Sequence, residues 1–279
     1  MSLYFDRFTI PLDEWIEAAV EWLVTHFRPH FQLIKAPVEK MLNGLDHLLN
    51  VLHPLAIILA FTLIAWRFAG KGVACFTAVT LTFIGFLGLW SETMTTLAMV
   101  LCAVFFCVVV GAPMGILASR SKRFEAVLRP ILDTMQTTPA FVYLVPVVML
   151  FSIGTVAGVI ATIIFSMPPM IRLTSLGIRQ VDAELIEAAR AFGATPRQIL
   201  IKVQLPLAMP TIMAGLNQTI MLSLSMVVIA ALIGAGGLGL PVFQGLNSLD
   251  VGLAGIGGLS IVLMAMVLDR ITQSIGSKK

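Results

Sequence analysis

The sequence predicts an all-α integral membrane fold of about seven spans, N-terminus outside and C-terminus in the cytoplasm. Three observations predict it. The 279 residues are 58% hydrophobic and 12% charged, whereas soluble domains carry about 25% charged residues. From residue 52 onward, apolar blocks succeed one another, several of them close to the roughly 20 residues that a spanning helix needs. The basic residues fall on alternate connections between those blocks. A formal charge of +3, with no basic run bearing interleaved aromatics, predicts no nucleic-acid partner. The surface to be matched is the lipid bilayer.

The first 50 residues differ from the rest and read as an extracytoplasmic amphipathic tail; residues 51–279 read as the transmembrane domain. Seven acidic residues lie in the tail: Asp6, Asp13, Glu14, Glu17, Glu21, Glu39 and Asp46. In LDEWIEAAVEWLVTHF, Leu12, Ile16, Ala19, Leu23 and Phe27 recur at helical spacing. Val38, Met41, Leu42, Leu45, Leu48 and Leu49 repeat the pattern in VEKMLNGLDHLLN. Two helices lying on the membrane interface or on the rest of the protein are expected. His26 and His30 are four apart, but Pro29 intervenes and no third ligand is evident, so no metal site is expected. No basic n-region precedes an apolar h-region, which predicts no cleavable signal peptide.

Spans are expected near 52–67, 72–90, 95–118, 135–152, 155–171, 211–233 and 251–268. The fourth and fifth divide one uncharged run between Asp133 and Arg172, with the break at Ser152 and Gly154. Pro139, Pro146, Pro168 and Pro169 are expected to shorten or kink these helices. Gly111 and Gly115, Gly154 and Gly158, and Ala254 and Gly258 are pairs four apart, which permit close helix approach.

With seven spans, one side collects Arg67 and Lys71; Arg120, Lys122, Arg123 and Arg129; Arg172, Arg179, Arg190, Arg197 and Lys202; and Arg270, Lys278 and Lys279. On the other side, Arg7, Arg28, Lys35 and Lys40 all belong to the tail, and the short loops hold Glu92 and Asp250. The positive-inside rule then sets the direction.

Residues 73–91, 93–119, 134–171, 203–249 and 251–268 hold no Asp, Glu, Lys, Arg or His. A proton relay within the membrane therefore has nowhere to sit. The Gly70-Lys71 pair is followed by Gly72, not Ser or Thr, and GAGGLGLP (234–241) has no lysine, so no P-loop is present. Nor is there GxSxG, HExxH or CxxC; the chain reads as no enzyme. Cys75, Cys102 and Cys107 match no metal or redox spacing and read as small apolar fillers.

One polar stretch, residues 182–206, interrupts the apolar sequence. DAELIEAARAF reads as a short helix, acidic at its start and closed by Arg190, which complements the helix dipole. Gly193 follows as a left-handed cap. Thr195, Pro196 and Gln198 then announce a second helix with a capping box. It is expected to run to about Val203, where Pro206 resets the chain. Leu185, Ala188, Ala189 and Phe192 give the first helix an apolar face, to be packed on its own spans or offered to a partner.

Glu187, Ala188, Ala189, Gly193, Val203, Leu205 and Pro206 are spaced as in the signature of permease subunits of binding-protein-dependent ABC importers, with Val203 where isoleucine is more usual. IPLDEWIEAAVEWLVTHFRPHFQ, LDTMQTTPAFVYLVPVVMLF and LPLAMPTIMAGLNQTIMLSLSMVVIA resemble the permeases of bacterial glycine betaine/proline betaine uptake systems, over nearly the whole chain. The tail is shorter than in some members. The resemblance implies a multi-pass inner-membrane subunit of type I importer fold, its core at about 93–270 and its ATPase-coupling element at 182–206. It implies two cytoplasmic ATPase subunits that carry ATP and magnesium, an extracytoplasmic substrate-binding protein and a second copy of the permease. No cofactor is expected on this chain.

The substrate so implied is a quaternary ammonium osmolyte, with choline and carnitine as alternatives. Such cations are usually held in aromatic cages. None is evident in the spans, where Tyr143 is the one tyrosine after Tyr4 and where Trp66 and Trp90 read as interface anchors. Candidates to line a passage are Gln136, Thr137, Thr138, Tyr143, Asn217, Gln218, Ser223 and Ser225. Interhelical hydrogen bonding is the competing reading for each. A self-contained channel or secondary carrier, and a membrane-anchored scaffold, are the competing readings of the whole.

Overall fold

A computed structural model describes residues 11–277. The sequence-based readings that involve Tyr4, Asp6, Arg7, Lys278 and Lys279 lie outside the described residues. Between them run twelve α-helices joined by short connections.

Helix α1 (Leu12–Val51) joins the two expected tail helices into one 40-residue rod. Its two halves differ. Val38, Leu42 and Leu49 are buried in the main core, whereas Leu12, Trp15, Ile16, Trp22, Leu23 and Phe27 are exposed. Leu52, already extended, ends the rod, and His53, extended because a proline follows, leads into the next helix. Its ring accepts from the Leu55 amide at 3.3 Å and caps α2 (Pro54–Ala69). Gly70, at φ +92°, is the single residue between α2 and α3 (Lys71–Phe86), which packs along α2.

α4 (Trp90–Arg120), α7 (Thr155–Arg179) and α10 (Leu205–Ala230) form the centre. Between α4 and α7 lie α5 (Lys122–Thr137), a 3₁₀ turn (Ala140–Tyr143) and α6 (Leu144–Phe151). Pro139 forces Thr138 extended, and the chain turns there by 109°. The break expected at Ser152 and Gly154 is found, with φ of +71° and +131°. α8 (Ala183–Ala191) and α9 (Pro196–Ile199) precede α10; α11 (Gly239–Ser248) and α12 (Val251–Ser277) follow it. α12 lies on α10, α2, α3 and α11.

Glycines set how closely the central helices approach. A Cβ on Gly115 would lie 2.6 Å from Thr174 Cβ and 2.7 Å from the Ile171 carbonyl; one on Gly158 would lie 2.9 Å from Ala230 Cβ. Gly154 instead makes a corner and Gly258 faces open space, so the second and third of the pairs four apart are not packing pairs in full. In the third, Ala254 packs on Gly245 of α11.

Among the described residues, four helical stretches are long and apolar enough to cross a membrane singly: Trp90–Arg120, Thr155–Arg179, Pro196–Ile233 and Val251–Gly276. Two bent pairs, Phe31–Val51 with Pro54–Ala69 and Lys122–Thr137 with Ala140–Phe151, raise the number to six at most. The expected count of about seven is therefore reduced. The first two blocks form helices of 16 residues each, about 24 Å long against a hydrocarbon core of about 30 Å. The block at 135–152 is cut at Pro139, and α6 has only 8 residues. Pro168 and Pro169 are accommodated inside an unbroken α7.

Candidate coupling site

Local chemistry builds the 182–206 element residue by residue. Asp182 accepts from the Glu184 amide at 3.0 Å and starts α8. At the other end, Gly193 has φ +78° and its amide donates to the Arg190 carbonyl at 2.9 Å. The Ala194 amide donates to the Ala189 carbonyl at 3.0 Å. Together these are the two bonds of a Schellman cap, which glycine adopts without strain. Thr195 then opens α9. Its hydroxyl accepts from the Gln198 amide at 3.4 Å, while the Gln198 side chain accepts from the Thr195 amide at 2.8 Å. Pro196 takes the first helical position.

The second helix does not stop near Val203. Residues Leu200–Gln204 form a π turn, in which the Leu205 amide reaches back to the Leu200 carbonyl. Pro206 has no amide hydrogen to donate, and the wider turn carries the helix past it. From Pro196 to Ile233 the chain is one helical stretch. The short helix α9 is thereby joined to one long and apolar enough to span a membrane.

No residue of α8 is buried. Phe192 is 93% exposed and Leu185 47% exposed, so much of the apolar face expected on this helix is left uncovered within the chain. Glu187 and Ala188 are also exposed and Ala189 is half-buried; Val203 and Leu205 are half-buried and Pro206 is exposed. α9 is tied more firmly: Ile199 is buried, and Arg120 at the end of α4 donates to the Pro196 carbonyl at 3.2 Å. The arrangement is a stiff corner with an uncovered apolar patch at its tip.

The expected passage residues are not gathered in one place. Gln136 and Thr137 are exposed at the end of α5, where the hydroxyls of Thr137 and Thr138 donate to the Thr134 carbonyl. The Tyr143 hydroxyl donates to the Met135 carbonyl at 2.6 Å, and its ring meets Phe165 edge-on at 5.9 Å. This bond clips the 3₁₀ turn back onto α5. Asn217 faces α12, donating to Asp269 at 2.9 Å and accepting from Thr272 at 2.7 Å. Gln218 is exposed beside it, and both line an open cavity with Arg270, Gln273 and apolar residues such as Met213 and Met221. Ser223 is buried and donates to Ser166 of α7 at 3.0 Å. The exposed Ser225 donates to the Met221 carbonyl.

Two ion pairs escaped the sequence reading. Arg172 of α7 lies 2.5 Å from Asp133 of α5, and Arg179 lies 2.5 Å from Glu125. The spacings held the signal: the acids are eight apart and the arginines seven apart, two helical turns in each case. Among the described residues, no group of three His, Cys, Asp or Glu could hold a metal ion.

Residues 108–278 match the family described as binding-protein-dependent transport system inner membrane component. The chain is 58% identical, over 98% of its length and 77% of the relative's, to the glycine betaine/proline betaine transport system permease protein ProW of Escherichia coli (strain K12). It is 47% identical, over 97% of its length and 96% of the relative's, to the glycine betaine transport system permease protein OpuAB of Bacillus subtilis (strain 168). Among solved structures, an inward-facing conformation of the MetNI methionine ABC transporter is 27% identical with a TM-score of 0.57, covering 64% of this chain and 92% of that one. The all-helical architecture, the apolar spanning helices and these matches agree: the chain belongs to the binding-protein-dependent transport system inner membrane components, as a multi-pass permease subunit of an ABC transporter and not an enzyme.

Proposed function

We propose that this chain forms the membrane passage of an ATP-driven importer for glycine betaine and proline betaine. The observation that carries the mechanism is the uncovered α8 on a stiff corner continuous with α10. Glu187, Ala188, Ala189 and Gly193 form the tip that an ATPase subunit grips; Val203, Leu205 and Pro206 form the root that passes its movement to α10. Two cytoplasmic ATPase subunits bind ATP and magnesium, and this chain binds neither. An extracytoplasmic protein delivers the substrate, and a second copy of the permease completes the passage. The tip lies on the cytoplasmic side, in keeping with Lys122, Arg123, Arg190, Arg197 and Lys202 around it.

The substrate assignment rests on similarity to permeases named for betaine. Carnitine is the second substrate to try, because a relative 44% identical, from Listeria monocytogenes, is named a glycine betaine/carnitine permease. ATP drives the cycle by binding one arrangement of the ATPase pair better than the other, so the two tips are drawn together and then released.

The test is co-purification of the tagged permease with its ATPase, followed by uptake of labelled betaine into vesicles with ATP inside and the binding protein outside. ATP-dependent uptake, competed by unlabelled proline betaine and weakened by Glu187→Ala, is expected. Uptake that proceeds without ATPase or ATP points to an autonomous carrier and sinks the importer reading.

A further inference from the structure

The glycine-rich run GAGGLGLP (234–241) lies far from the corner at 182–206 and is left without a role by it. Residues 234–238 form a loop between the 3₁₀ turn that ends α10 (Ala231–Ile233) and the start of α11. Loops mostly run over the surface, where water satisfies their backbone. This one is inside: Ala235 and Leu238 are buried and belong to the main core. Backbone buried in this way has to find its hydrogen-bond partners within the protein.

Those partners come from all three central helices. The Leu238 amide donates to the hydroxyl of Thr96, buried on α4, at 2.7 Å, and that hydroxyl donates in turn to the Glu92 carbonyl at 2.9 Å. The Gly236 amide donates to the Thr155 hydroxyl, at the start of α7, at 3.5 Å. The Gly154 amide donates to the Ile233 carbonyl, at the end of α10, at 3.0 Å. Gly237 has φ +86°, and a Cβ there would collide with the Thr96 hydroxyl, so the loop reaches Thr96 only as glycine. Position adds a second observation. Thr96 lies about 36 Å along α4 from Arg120, which holds Pro196 at the root of the corner. The 38 residues from Pro196 to Ile233 run as one helical stretch from that corner to this loop. Movement of the corner therefore reaches the loop along a single rod, and the loop fastens that rod to α4 and α7.

We propose that residues 234–238 are a latch, with Thr96 and Thr155 as its positioning residues, which holds the transporter at rest and opens in each transport cycle. The inference rests on the importer reading. Both latch bonds run from a loop amide to a side-chain hydroxyl, so they break and re-form without unwinding a helix. A shut latch favours one arrangement of α4, α7 and α10, and ATP-driven closure of the ATPase pair works against it. A weakened latch shifts the population towards the other arrangement before any substrate arrives. ATP is then hydrolysed idly.

The test uses the permease assembled with its ATPase in vesicles, with the binding protein supplied. ATP hydrolysed and betaine moved are measured together, with and without betaine, per assembled complex. A wild type without ATP-dependent uptake sinks the importer reading, and the latch with it. Given that uptake, Thr96→Val, which keeps the side chain's shape and loses its hydroxyl, should raise hydrolysis in the absence of betaine several-fold and lower the betaine moved per ATP. Thr155→Val, at a half-buried position with the longer bond, should act in the same direction and less strongly. Thr96→Ser keeps the hydroxyl and should restore the wild-type ratio. A hydroxyl that served the fold alone would lower the unfolding midpoint and the yield of complex without raising idle hydrolysis per complex. Idle hydrolysis at the wild-type level in both valine variants, or raised as much by Thr96→Ser as by Thr96→Val, overturns the latch while the importer reading stands. If Thr96→Val fails to assemble, Thr155→Val decides by the same readout.

Discussion

Arg120, the last residue of α4, donates from Nη2 to the carbonyl oxygen of Pro196, the first residue of α9, at 3.2 Å. The bond joins two elements 76 residues apart in sequence and fixes the root of the corner, not its tip. Removing it should loosen the corner while the bundle stays folded. Arg120→Ala is expected to shift stability by no more than about 0.5 kcal/mol, as for other exposed positions. Betaine moved per ATP should fall in reconstituted vesicles. Unchanged stoichiometry would show that Arg120 plays no part in coupling.

Gly193 separates backbone strain from side-chain size. It has φ +78°, and a Cβ placed there would meet nothing within 4 Å. Any penalty must come from holding an L-residue in the left-handed region, about 1–2 kcal/mol. Asparagine tolerates that region best and a β-branched residue worst. Coupled uptake should therefore rank wild type, then Gly193→Asn, then Gly193→Ala, then Gly193→Val. Normal coupling in Gly193→Val would dismiss the corner as a requirement.

The α4–α7 contact makes the opposite case, where space decides. Gly115→Ala would place a methyl 2.6 Å from Thr174 Cβ and 2.7 Å from a backbone oxygen that cannot rotate away. Overpacking of this kind costs about 1–3 kcal/mol. Gly258→Ala meets nothing within 4 Å on α12, and helix propensity alone should make it neutral or stabilising by up to about 1 kcal/mol. Thermal unfolding of the two variants in the same detergent checks both signs. Equal midpoints would refute the packing argument.

The corner at 182–206 was legible because each of its signals is local. Asp182, Thr195 and Gln198 accept from amides two or three residues away, Gly193 donates its own amide to the Arg190 carbonyl from a positive φ, and all four perform as their types predict. The α8 face is left largely exposed, and only burial could reveal that. Pro206 misled because its missing amide was read as a stop, when a wider turn upstream lets the helix continue. The span count misled for a related reason: hydropathy reports how apolar a block is, not whether Gly70 or Pro139 cuts it short. The polar residues of the spans were harder still. Nothing near Asn217 in sequence announces Asp269, 52 residues on and just past the last uncharged block. Glu125 and Arg179 are brought together by the packing of α5 on α7, at which the matched spacing of the two acids and the two arginines only hints.

Asn217 yields the sharpest test of what an amide inside an apolar helix is for. Its nitrogen donates to Asp269 and its oxygen accepts from Thr272, both on α12. Gln273 donates to the same Asp269 oxygen at 2.7 Å. With both ends of the amide engaged, Asn217 acts as a tie between α10 and α12. A double-mutant cycle of Asn217→Ala with Thr272→Val should show a coupling energy of about 0.6 kcal/mol, and at most about 1.7 kcal/mol, the range found for hydrogen bonds between membrane helices. The folded fraction of Asn217→Ala should still take up betaine with an unchanged half-saturating concentration, because a tie touches no substrate. Additive stabilities together with an altered half-saturating concentration would reverse the assignment and return Asn217 to the passage wall. Gln218 is the control. Exposed beside the tie but outside its bonds, Gln218→Ala should leave stability unchanged within about 0.5 kcal/mol.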